Sequence, residues 1–91
     1  MAIAIKFSPE EMTRAKYDES IRLLEKAGLG RPEGRLYHVC YTEGDYVGVT
    51  DVWDSMENFE RFGQTLMSIL ADLAVNPGQP EIREVHHIIE G

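Results

Sequence analysis

The sequence predicts an α+β fold, the ferredoxin-like βαββαβ sandwich: a four-stranded antiparallel sheet with two helices on one face. Three observations predict it. Apolar residues alternate with a period of two near both ends and through the middle of the chain. Two stretches between those segments carry helical apolar spacing instead. The central alternating segment folds back on itself at Gly44-Asp45, so two strand–helix units flank a hairpin. The usual spatial order for this arrangement puts the first and third strands in the middle. At 91 residues, 1–91 is expected to form one domain.

The first strand is "IAIKF", whose alternation puts Ile3, Ile5 and Phe7 on one face. "SPEE" predicts the start of a helix, with Ser8 as cap, Pro9 in the first turn and Glu11 completing a capping box. Phe7 would then staple onto Met12, turning its strand face toward the helices. Tyr17, Ile21 and Leu24 follow helical spacing, and Gly28 ends the helix. "GRLYHVCYTEGDYVGVTDVW" is the hairpin. "DSMENFERF" opens the second helix, with Asp54 or Ser55 as cap. Phe59, Phe62, Leu66, Ile69, Leu70 and Leu73 form its apolar stripe, and "NPGQP" ends it. "EIREVHHII" is the last strand.

Bulk properties narrow the function. A net charge of −7 is wrong for nucleic acid or an anionic membrane surface. No apolar run approaches the ~20 residues of a membrane span. The start, "MAIAIKFSPEE", has no basic segment leading into a long apolar core, and Cys40 has no partner for a disulfide. A cytoplasmic protein is expected. No P-loop, G-x-G-x-x-G fingerprint, CxxC pair or nucleophile elbow is present, so no nucleotide cofactor is expected.

Two helices cover one face of such a sheet. The other would carry Tyr37, Val39, Tyr41, Thr50 and Val52, with either Val85 and Ile89 or Ile82 and Ile88. Monomers rarely leave an apolar patch of more than a few hundred Å² in water. Face-to-face homodimerisation is the expected remedy.

The covered face holds an anomaly: Asp51 alternates with Val47, Val49 and Trp53, where hydrocarbon belongs. A two-residue turn at Gly44-Asp45 sets Asp51 opposite His38, Cys40 opposite Val49 and Leu36 opposite Trp53. Opposed residues have Cβ atoms about 4.5–5.5 Å apart, within reach of a His–Asp hydrogen bond. A buried carboxylate needs such a partner. The pair either fixes hairpin register or works as a site, Asp51 orienting the imidazole of His38 for proton abstraction with a ring nitrogen left for a ligand.

Around that pair, Trp53, Tyr17 and Phe62 would shape a ligand pocket, with Cys40 and His86 as further wall residues. Cys40 is a small buried hydrophobe or a nucleophile; no cationic neighbour is predicted to activate it. His86 and His87 face opposite sides of a strand, and one of them lines the pocket. A metal site of His38, His86 and Asp51 would span strands roughly 14 Å apart at ~4.8 Å per spacing, so no metal is expected.

With "GRLYHVCY", "GDYVGVTDVWDSMENFERFGQTLMSIL" and "PGQPEIREVHHII", nearly the whole chain resembles the dimeric α/β-barrel superfamily near the antibiotic-biosynthesis monooxygenases. The "DVWDS-x-E-x-F-x-x-F" junction and the strand histidine before the turn carry the resemblance. It implies a homodimer whose sheets close into a barrel, with a small-ligand pocket between sheet and helices of each subunit. The activities it implies are cofactor-free oxygenation of an aromatic or polyketide-like molecule, haem degradation, lactone or enol isomerisation, or none. Haem fits least, because the helical axial histidine of the haem-degrading members has no counterpart here. A non-catalytic dimeric binding module is the other expectation.

Overall fold

The computed structural model describes residues 1–91. Its elements run β1 (Ile3–Phe7), α1 (Arg14–Lys26), β2 (Arg35–Glu43), β3 (Tyr46–Trp53), α2 (Met56–Asp72) and β4 (Glu81–Glu84). The strands form one antiparallel sheet in the order β2-β3-β1-β4. This is the ferredoxin-like topology that the segment order predicts.

Alternation sorts the side chains. Ile3, Ile5 and Phe7 of β1 and Val49 and Trp53 of β3 meet Leu24 of α1 and Phe62 and Ile69 of α2 in the main core. Ile5 and Trp53 are fully buried. Truncating a tryptophan so placed costs about 3–5 kcal/mol. A smaller cluster, Met12, Val47, Leu70 and Val75, closes the end of the core nearest the hairpin turn. Ile82 packs on the main core, so it belongs to the covered face and not to the outer one.

Four details depart from the sequence reading. First, α1 is capped by Thr13, whose Oγ1 accepts from the Lys16 amide, and not by Ser8. Long-range bonds take up the intervening residues. The Glu10 amide donates to the Asn76 carbonyl at 3.0 Å, and the Met12 carbonyl accepts from Val47 at 2.9 Å. Glu11 sits at φ 51°, outside any helix. Met12 therefore precedes the cap and is no staple partner; the Phe7 ring instead tilts against Phe59, centroids 5.9 Å apart.

Second, α2 begins as expected on the Ser55 cap but ends at Asp72, before "NPGQP", with Ala74 in the left-handed region at φ 56°. Third, β4 stops at Glu84. One more bond, Val85 N–H to the Ala2 carbonyl at 2.9 Å, follows it, and the remaining residues form no strand.

The fourth departure matters most for the site. From Tyr37 to Glu43, β2 pairs with β3 in the predicted register, but Arg35, not Leu36, faces Trp53. Leu36 is the extra residue of a β-bulge, and it is 49% exposed. A bulge reverses the alternation on one side of itself. Arg35, which strict alternation sends to the outer face, is turned toward the helices.

The chain enters this bulge through Gly34 at φ 90°. A Cβ there would lie 2.5 Å from both Asp54 Oδ1 and Asn58 Nδ2 at the start of α2. The Gly34 carbonyl accepts from the Asp54 amide at 2.8 Å. Glycine alone takes this left-handed conformation freely and leaves room for those two side chains.

Candidate functional site

The site is a short line of polar groups inside an apolar wall. Asp51 projects from β3 beneath α1 and is 3% exposed. Its Oδ1 lies 2.6 Å from Nδ1 of His38 on β2. Its Oδ2 accepts from the Trp53 indole N–H at 3.3 Å. On the far side of the imidazole, Nε2 of His38 is 2.7 Å from the hydroxyl of Tyr17 on α1. The two rings lie nearly parallel, 7° apart.

The donors can be assigned from chemistry. A carboxylate only accepts, so Nδ1 of a neutral His38 carries the proton and Nε2 carries the lone pair. Tyr17 then donates to Nε2. The run Tyr17→His38→Asp51←Trp53 satisfies each member. Burial pushes the Tyr17 phenol up to about 12, with the Cys40 thiol adding to the rise and the Arg35 charge opposing it. The phenol is thus neutral at ordinary pH, a donor resting on the base.

Tyr17, His38, Asp51 and Arg35 share one cavity between sheet and helices with Phe7, Met12, Ile21, Leu24, Val49, Phe62, Leu66 and Leu70; Pro9, Ser20 and Pro77 complete its wall. About 50 Å³ of it is open to the centre of a water molecule. One water needs roughly 10–15 Å³ on this measure, so the cavity takes a few waters as it stands. An aromatic ligand requires the wall side chains to move apart.

The predicted residues separate as follows. Tyr17, His38, Asp51 and Phe62 meet at the cavity. Trp53 is not a wall residue; it lies behind Asp51, fully buried, and holds the carboxylate. Cys40 packs against the core beside Tyr17 without lining the cavity, and burial raises its thiol, which keeps it protonated. His86 lies beyond β4 and is exposed, as is His87, so neither reaches the cavity. The β4 pairing that would have placed one of them there ends too soon. No group of three potential metal-ligating side chains converges anywhere in the structure.

Two features were missed. The Tyr17–His38 bond joins a helix to a strand, and no local spacing encodes it. Arg35 was hidden by the bulge. Gly34 at the strand entrance, directly before Arg35, was the available signal.

No protein-family model matches the sequence, and no curated protein matches it. Solved structures do match. SnoaB, a cofactor-independent oxygenase from Streptomyces nogalater, is 17% identical; the match covers 99% of this chain and 96% of that one, at a TM-score of 0.59. A Chloroflexus aurantiacus protein provisionally named an antibiotic biosynthesis monooxygenase is 18% identical over the whole of both chains, at 0.65. One of the same provisional name from Deinococcus radiodurans is 15% identical over 99% and 97%, at 0.61. Identities this low speak for fold and not for chemistry. From end to end, this chain has the ferredoxin-like fold of the antibiotic biosynthesis monooxygenase structures.

Proposed function

We propose that the chain is a homodimeric, cofactor-free enzyme of monooxygenase type. It binds a small aromatic or polyketide-like molecule between sheet and helices and abstracts a proton from it through Tyr17, His38 and Asp51. One observation carries the reading: a base with its tautomer fixed by a buried carboxylate ends in a phenol at a mostly apolar cavity. A substrate proton passes to the Tyr17 oxygen as the Tyr17 proton passes to Nε2. The imidazolium is held by Asp51, and the electron pair stays on the substrate. The electron-rich anion then reduces dioxygen. One oxygen atom enters the substrate and the other leaves as water, so one O₂ and two substrate hydrogens are consumed per carbonyl formed. Returning the proton to a different carbon would instead isomerise an enol or lactone.

Dimerisation is supported by the outer face, where Tyr37 is 42% and Val39 54% exposed. Lys6, Glu81 and Arg83 occupy the β1–β4 half of that face, which concentrates the apolar surface on β2 and β3.

A second reading, a non-catalytic binding or accessory module, has its own observation. Nε2 of His38 is already occupied, and no buried side-chain nitrogen or oxygen lacks a partner. Oxygen uptake with a panel of hydroquinones and naphthols in metal-free buffer separates the two. Turnover that falls about 10²-fold or more in His38→Gln supports the enzyme. Turnover unchanged by His38→Gln, or none with any member of the panel, supports the module.

A further inference from the structure

Arg35 has no role in the proton relay, and its position is unusual for a chain so acidic. Sixteen aspartates and glutamates face nine lysines and arginines, yet no carboxylate lies within ion-pairing distance of Arg35. It is the one lysine or arginine in the cavity wall. One guanidinium nitrogen donates to the Gly30 carbonyl at 3.2 Å, and Cζ stands 5.9 Å from the centre of the Phe62 ring. These contacts hold the planar group in place and leave most of its donors free. Its charge reaches the reacting end of the relay, since it is the group that pulls the Tyr17 phenol downward against burial. The Leu36 bulge and the glycine before it exist at the point where they turn this side chain inward.

Resting on the proton-abstraction reading above, we propose that Arg35 is the counter-ion for the oxyanion left when the substrate's hydroxyl is deprotonated. The hydroxyl proton leaves through Tyr17 to His38 Nε2, and the negative oxygen left behind accepts from the guanidinium. A neutral aromatic without such a hydroxyl would take water from the half-buried cation and offer it no acceptor in return. A charged hydrogen bond in an apolar pocket discriminates strongly between the two.

The test uses 4-nitrophenol, whose anion and neutral form differ in colour, beside its neutral methyl ether, 4-nitroanisole. Tyr17, His38, Asp51 and Arg35 are the titratable groups facing the cavity, so their variants are read on the same probe. The full-length protein should bind 4-nitrophenol as the yellow phenolate at a pH where the free phenol is largely neutral. Arg35→Met should weaken phenolate binding by about tenfold to a hundredfold while nitroanisole affinity stays within about twofold. Arg35→Lys, which keeps the charge without the fork, should recover part of the loss and guards against a folding defect in the methionine variant. Colourless, neutral nitrophenol in the complex, or equal weakening of both probes by Arg35→Met, overturns the assignment while leaving the cavity as a ligand site. Binding of neither probe removes the cavity reading and this assignment with it.

Discussion

The Tyr17 hydroxyl sits 2.7 Å from Nε2 of His38, on the nitrogen that a general base would use. A substrate must therefore either act through this phenol or displace it. That relationship turns a strand histidine and its carboxylate into a relay with a defined outer end.

The relay has a consequence in alkali. The folded Tyr17 phenol is raised from 10.0 to about 12, chiefly by burial. The folded state thus keeps a proton that the unfolded state releases first. The extra stability is present below pH ~10 and is lost as pH rises toward ~12. Ultraviolet titration should resolve one of the four tyrosines ionising at about 12, and Tyr17→Phe should abolish it. The variant's stability should also fall less between those two pH values. A titration unaltered by the substitution would remove the buried phenol.

Asp51 holds two donors, the half-buried His38 imidazole and the fully buried Trp53 indole. Asp51→Ala leaves Nδ1 of His38 and the Trp53 indole without their acceptor, beside a cavity with room for only a few waters. Urea unfolding should show a loss of about 2–5 kcal/mol. Asp51→Asn keeps an acceptor for Trp53 and should lose less. A change below about 0.5 kcal/mol for the alanine variant would mean the pair is solvated.

Gly34→Ala should be among the costliest small substitutions. It puts a Cβ 2.5 Å from two side chains of the α2 entrance while demanding φ 90° of an alanine. Overpacking of this kind costs about 1–3 kcal/mol, and the displaced strand entrance should carry Arg35 away from Phe62. Chemical denaturation reads the first effect, and loss of 4-nitrophenol binding reads the second.

On the outer face, Val39 is the most exposed apolar side chain of β2. Native mass measurement at micromolar concentration should find a dimer for the natural chain. Val39→Glu should give a monomer with the same far-ultraviolet circular dichroism, because the proposed interface would have to bury an unpaired charge. A monomeric natural chain would contradict the proposed assembly.

Much of this molecule is local. The period-two segments, the α2 stripe, the Ser55 cap and the Gly44-Asp45 turn depend on neighbours a few residues away, so the sequence alone determined the element order and the His38–Asp51 pairing. The tertiary structure decided what depends on distant partners. Asn76 and Val47 take the backbone groups of Glu10 and Met12, so Thr13 and not Ser8 caps α1. The packing of α1 over β2 brings Tyr17 to His38, and the contact of Gly34 with the α2 entrance accompanies the bulge that turns Arg35 inward. Alternation fixes which side of a strand a residue takes only while the ladder is regular. The ladder breaks next to Gly34, whose carbonyl is held by the distant Asp54 amide, a partner that no short stretch contains.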